Sequence, residues 1–241
     1  MKWGDAEAAR AMLRRIAYRQ GIGDLLAEGL KRAAMKIGGE AKDMAIYVEK
    51  GNAPRTHDFR ANWWEMFDTA VSNTGTIETH GAFRRDQLGL PMQFDRVSPE
   101  EVSTLVAKTK GSMQFEDSLV LCRFVNGSDH RLLSAIVSAV TGWDFTLEKG
   151  MEIGRRTVNL LKVFNLRHGI TAEMDDAPSV RVSSSPTDGP CQGKPSVRPF
   201  WKDMVRNYYT LMGWEPETSK PLPSTLKGLG LEHIIGDIWA K

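Results

Sequence analysis

Two short stretches of the sequence hold side chains whose types and spacing could do chemistry. In TGTIETHG, Glu78 precedes His80 by two residues, and in DSLVLC, Asp117 precedes Cys122 by five. A histidine moves protons near neutral pH and a neighbouring carboxylate can orient it, so Glu78 and His80 are candidate catalytic groups. The glycines around them let the backbone bend and expose them. The competing reading is a hydrogen-bonded loop pair. For Asp117 and Cys122 the spacing is less permissive. On a continuous helix five residues turn the side chain by roughly 500°, leaving carboxylate and thiol about 140° apart around the axis. One small site could take both only if the helix bends or ends between them.

The remaining candidates are weaker. Cys122 has Leu119, Val120 and Leu121 before it and Phe124 after it, and a lone cysteine in such a run usually packs as a small buried hydrophobe. A metal at Cys122 needs ligands from elsewhere, because no CxxC accompanies it. Cys191, in DGPCQGKP, reads as a loop thiol without a partner. His57, His130, His168 and His233 have no metal-ligand spacing and read as surface or satisfied core residues.

Composition excludes several classes. The 241 residues suffice for one large domain or two smaller ones with a sizeable core. The 32 basic and 30 acidic residues leave a formal charge of +2, which gives no sign of a nucleic-acid or anionic-membrane partner. Two cysteines make no disulfide framework, no apolar run reaches spanning length, and the N-terminus lacks a signal-peptide core. A cytoplasmic protein is the expectation.

The elements that must position these residues read mostly as helices. Asp5 can cap a first helix carrying Ala9, Met12, Leu13 and Ile16, ended at Gly21, and Asp24 can cap a second with Leu26, Leu30, Ala33, Ala34 and Ile37. MAIYVEKG alternates weakly and is the one strand-like piece. Ser98, Pro99 and Glu101 supply the cap, first-turn proline and capping-box acid of a helix bearing Val102, Leu105 and Val106. Leu132, Leu133, Ile136, Val137 and Val140 mark another helix, and Thr146 begins one with Ile153, Val158, Leu161 and Phe164. Both are expected to face the core. Residues 175–199, rich in Pro, Ser and Gly, read as a long loop. Trp201, Val205, Tyr208 and Tyr209 stripe a further helix, and a short one closes the chain after Ser224. With no repeat and no βαβ rhythm, GIGDLL at Gly21 reads as a helix-to-helix turn and not as a dinucleotide fingerprint.

Five blocks taken in order resemble one family. They are WGDAEAARAMLRRIAYRQGIGDLLAEGLKRAAMKIGG, TAVSNTGTIETHG, DSLVLCRF, AVTGWDFTLEKGMEIGRRTVNLLKVFNLRHGIT and YYTLMGWEP. Together they are similar to the C-terminal half of the tungsten-dependent aldehyde ferredoxin oxidoreductases. The resemblance implies a mostly α fold made of multi-helix domains, with residues 1–53 as the end of a helical middle domain and 54–241 as a C-terminal helical domain. It also implies a tungsten (or molybdenum) ion held by two pyranopterins beside a [4Fe-4S] cluster. In the family motif DxxGLC the Asp hydrogen-bonds a pterin and the Cys completes the cluster. Asp117 and Cys122 match those positions, with Leu121 beside the pterin, and Val120 stands where the motif has glycine. The family's proton-transfer histidine after its SN segment aligns without a gap on Glu78, and on His80 only with a shift.

The function implied is the two-electron oxidation of a small aldehyde, or its reverse, by an oxygen-sensitive oxidoreductase that passes electrons to ferredoxin, with a homodimer admitted. The family's N-terminal domain, its CxxCxxxC motif and its first pterin motif precede the block matched at Trp3, so the chain is expected to be a fragment that needs the missing part to hold either cofactor. Two rivals are a benzoyl-CoA-reductase-like catalytic subunit and a cofactor-free helical interaction module.

Overall fold

The computed structural model describes residues 2–54 and 57–239, with the backbone alone for residues 80–83 and Arg123. Among the described residues the architecture is helical throughout, and the one β pairing is an isolated bridge between Trp214 and Pro221. MAIYVEKG therefore forms no strand. Its buried Ala45, Tyr47 and Val48 lie in an extended segment whose Tyr47 exchanges hydrogen bonds with Ser179, where a short loop substitutes for a partner strand.

Three helices make the main core. Trp63–Val71 is apolar on almost every side, and all of it except Glu65 is buried, as a helix of that pattern must be. Pro99–Thr109 and Trp201–Met212 pack against it and extensively against one another. Phe67 meets Trp201 and Tyr208 edge-on at ring separations of 5.4 and 5.8 Å. The start of Pro99–Thr109 is as its sequence requires, with the Glu101 amide donating to Ser98 Oγ at 3.3 Å. The Glu101 carboxylate reaches back past the cap to the Asp95 amide instead of to Ser98.

The long helix Leu147–Arg167 buries a different stripe from its apolar one. Gly150, Gly154, Val158, Asn159, Lys162 and Val163 face inward, while Ile153 and Phe164 are exposed. The reason is close approach to the Ser112–Ser118 helix: a Cβ on Gly154 would stand 1.8 Å from the Gly111 carbonyl oxygen. The helix His130–Thr141 also departs from expectation, since only His130, Leu133 and Ser134 are buried and Leu132, Ile136 and Val140 face outward.

Asp5 caps Ala6–Ala17 through the Ala8 amide, but this helix buries no residue. The expected second helix is two, Ile22–Leu26 and Leu30–Ile37, split by Gly29 at φ +82°. Asp24 thus lies inside a first turn and pairs with Arg19 at 2.9 Å instead of capping. In the 175–199 loop a short helix, Val180–Ser183, is tied down by Arg198, which donates to Ser183 Oγ and the Pro178 carbonyl. No helix among the described residues is long and apolar enough to cross a membrane.

Candidate functional site

The Ser112–Ser118 helix ends between Asp117 and Cys122, which is the condition their spacing imposed. Leu119 caps it, the Val120 amide donates to the Asp117 carbonyl at 3.0 Å, and Val120 adopts φ +56°. That left-handed residue sits where helix endings usually place glycine. Cys122 then starts a new turn, accepting from the Val125 amide at 2.8 Å. Val120 is 92% exposed, Leu121 is 38% exposed and the Cys122 thiol is exposed and free. Asp117 is exposed and engaged with a neighbour. The buried-hydrophobe expectation for Cys122 is overturned, because the left-handed turn carries the chain off the helix and away from the core.

Glu78 is the opposite case. Its glycines do not expose it: it is 2% exposed and every carboxylate oxygen has a donor. Oε1 accepts from the Asn73 amide at 3.1 Å and the Thr74 hydroxyl at 3.3 Å, and Oε2 lies 3.2 Å from Lys110 Nζ. Lys110, fully buried, also meets Asp68 Oδ1 at 2.6 Å, and Asp68 Oδ2 accepts from the amides of Glu78 and Thr79. Burial by itself would lower the Lys110 ammonium, but Asp68, Tyr208 and Glu78 together hold it above its ordinary value. The His80 imidazole lies outside the described residues.

A second buried cluster lies on the other side of the Tyr208–Tyr209 pair. Asp175 Oδ2 accepts from Lys162 at 3.2 Å and from the Tyr209 hydroxyl at 2.6 Å, and Oδ1 is bound by Lys50, which also reaches the Ala70 carbonyl. Burial would raise the Asp175 carboxyl, yet the two ammoniums hold it below its ordinary value. Lys50 is pushed down by burial and, despite Asp175, by repulsion from Lys162. The first cluster carries two acids and one base and the second two bases and one acid, so their charges cancel across the core. Apart from Glu78, sequence reasoning missed the charged members of both clusters, although acids and lysines inside apolar helical runs, Asp68 in WWEMFDTAV and Lys162 in LLKVF, were the available signal.

His130, expected to be satisfied or on the surface, is buried with Nε2 3.2 Å from Glu116 Oε1, too far out of line for a hydrogen bond. Among the described residues no group of three or more His, Cys, Asp or Glu side chains could hold a metal. A lone exposed thiol such as that of Cys122 offers at most one ligand to an iron–sulfur cluster. Val120, which stands where DxxGLC has glycine, takes the left-handed conformation that glycine adopts without strain.

Comparison with known proteins follows the same residues. The family model described as aldehyde ferredoxin oxidoreductase, domains 2 and 3, matches residues 1–231. A tungsten-containing aldehyde ferredoxin oxidoreductase of Pyrococcus furiosus is 31% identical over 241 residues, covering 97% of this chain and 38% of the relative. Its counterpart in Thermococcus kodakarensis is 31% identical over 91% of this chain and 36% of its own length. The chain thus spans less than two-fifths of these curated relatives. An aliphatic sulfonate oxidoreductase, WOR-like subunit, of Pyrococcus furiosus is 28% identical over 96% of the chain. Among solved structures, the active site complex BamBC of benzoyl coenzyme A reductase with 1,5-dienoyl-CoA superposes with a TM-score of 0.70 at 19% identity, over 92% of this chain and 38% of that one. That last likeness is one of fold. The family match over nearly all of the chain, with the helical fold, places this protein in the aldehyde ferredoxin oxidoreductase family.

Proposed function

We propose that the chain forms part of a tungsten- or molybdenum-pterin oxidoreductase that oxidises aldehydes and passes electrons to ferredoxin, and that the Asp117–Cys122 turn is its contribution to the cofactor site. The observation that carries this is the exposed, free Cys122 thiol just beyond the left-handed Val120 that ends the Ser112–Ser118 helix. Cys122 would supply one thiolate to a [4Fe-4S] cluster, Asp117 would accept a hydrogen bond from a pterin, and Leu121 would pack beside it. When bound, such cofactors supply the two-electron oxidation and the one-electron export.

Within this reading Glu78 positions the loop and does not carry a proton, because both its oxygens are held by Asn73, Thr74 and Lys110. His80 keeps the proton-transfer role as a proposal. Residues 1–53 and 54–241 are assigned to the end of a middle domain and to a C-terminal domain respectively.

The test uses the intact protein purified without oxygen. Cys122→Ser should lose or alter the reduced-cluster EPR signal and lower bound iron, because oxygen is a poorer ligand than thiolate for such iron. Cys191→Ser should match wild type. Wild-type iron and an unchanged signal in Cys122→Ser would remove the site and leave only the family's fold. Turnover of aldehydes against aromatic thioesters then separates aldehyde oxidation from benzoyl-CoA-reductase-like chemistry.

A further inference from the structure

Residues 119–129, which carry Cys122, leave one helix and enter the next through strained backbone. Val120 stands at φ +56° and Ser128 at φ +54°, left-handed conformations that cost an L-residue free energy and persist only where the surroundings enforce them. The segment's own side chains supply little of that enforcement, since Val120, Phe124 and Val125 are 92%, 84% and 83% exposed. What holds it must lie at its two ends.

One anchor is near the surface. Asp129 accepts from the Leu132 amide at 3.0 Å, from Gln87 Nε2 at 2.7 Å and from Arg84 at 3.3 Å, and Gln87 Oε1 accepts from the Arg131 amide at 3.1 Å. These bonds tie the far end of the segment to His80–Leu88, whose first residue is the candidate proton carrier. The other anchor is interior. Glu116, in the last turn of Ser112–Ser118, and His130, which opens His130–Thr141, flank the segment and meet at 3.2 Å, with both side chains buried. The Phe115 ring backs the imidazole with apolar surface, at 6.4 Å between centroids and inclined by 29°. Neither carboxylate oxygen and neither ring nitrogen has a hydrogen-bond partner among the described residues, so a Glu116 carboxylate has only the His130 imidazolium to offset its desolvation. A contact out of line for a hydrogen bond acts through charge and distance. Moving the two helix ends apart would leave each charge buried alone.

We propose that Glu116 and His130 are positioning residues, a buried charge pair that latches the two ends of segment 119–129 and thereby fixes where the Cys122 thiol stands. The service to a cluster rests on the cofactor reading above. The latch itself does not, because hydrogen exchange reads it with or without a cluster. Wild-type iron in Cys122→Ser would remove the cofactor reading and leave the exchange result standing.

The experiment uses the intact protein, purified without oxygen, and follows amide hydrogen exchange by mass spectrometry in peptides covering 119–129 and, for comparison, 99–109. Glu116→Gln keeps the side chain's size and removes its charge. Exchange across 119–129 should quicken by about tenfold or more, while 99–109 keeps the wild-type rate. His130→Gln should do the same. Glu116→His combined with His130→Glu restores opposite charges across the same gap and should return exchange to within about threefold of wild type. Glu232→Gln removes an exposed carboxylate elsewhere and should change nothing. In the iron-loaded protein, the reduced-cluster EPR signal of Glu116→Gln should shift or broaden at wild-type iron content and revert in the double variant. Wild-type exchange in both single variants, equal quickening of both segments, or a double variant no slower than the single ones would each overturn the latch. An EPR signal unchanged by Glu116→Gln would overturn the positioning of Cys122.

Discussion

The loop that carries Glu78 and the turn that carries Cys122 both follow a helix end, at Val71 and at Ser118, yet one is drawn into the core and the other is left on the surface. Residue type points the other way in each case, since a carboxylate flanked by glycines invites solvent and a cysteine among Leu and Val invites burial. What decides is the partner set. Glu78 meets a buried ammonium and a backbone amide, which offset its desolvation, whereas nothing in the described chain covers Val120 or Cys122. A lone side chain's chemistry therefore says little about its exposure until its counter-charge is known.

The largest test of this contrast is Lys110→Met. It keeps the volume of the side chain but leaves Asp68 and Glu78 buried without their shared cation. Stability should fall by about 3–5 kcal/mol in chemical denaturation, the usual cost of orphaning a buried ion pair. A loss under about 1 kcal/mol would mean that water reaches the cluster and that Glu78 is no more structural than Cys122.

Much of the fold could be read from local pattern, and the reasons for the failures are specific. Caps at Asp5, Ser98 and Thr146 lie where the sequence places them, because a cap is a contact across three residues. The inward faces of His130–Thr141 and Leu147–Arg167 could not be read, because they depend on which helix comes close. Gly154 against Gly111 pulls a small and polar stripe inward and turns Ile153 out. At the candidate site the family motif located Asp117 and Cys122, but Lys110 and Asp68 lie 42 residues apart and only the fold brings them together around Glu78.

A smaller effect sharpens the comparison from the other buried cluster. Unfolded aspartate titrates near about 3.9, and folded Asp175 is held below its ordinary value by Lys162 and Lys50 against the opposing effect of burial. Between the two values the unfolded chain binds more protons than the folded one. Stability should therefore be fully supported above that window and fall as pH drops through it. Asp175→Asn should cost about 2–3 kcal/mol at neutral pH and flatten the acid limb of a plot of urea midpoint against pH. A wild-type acid slope in the variant would assign the acid sensitivity to other carboxylates.

The smallest effect lies on the exposed side of the contrast, at Val120. A left-handed L-residue costs roughly 1–2 kcal/mol, and branching at Cβ does not lessen it. Glycine removes that strain but gives the unfolded chain more freedom, which takes back about 0.5–1 kcal/mol. With the valine side chain 92% exposed there is little packing to lose. Val120→Gly should therefore stabilise the protein by about 0.5–1 kcal/mol and leave secondary structure unchanged, read from the denaturant midpoint at constant slope. Destabilisation would show that the Val120 side chain is packed against something in the intact protein, and the turn would then belong with Glu78 among the covered segments. Stabilisation with unchanged iron in the oxygen-free protein would instead separate the two properties of the turn, its strain residing at Val120 and its ligand at Cys122.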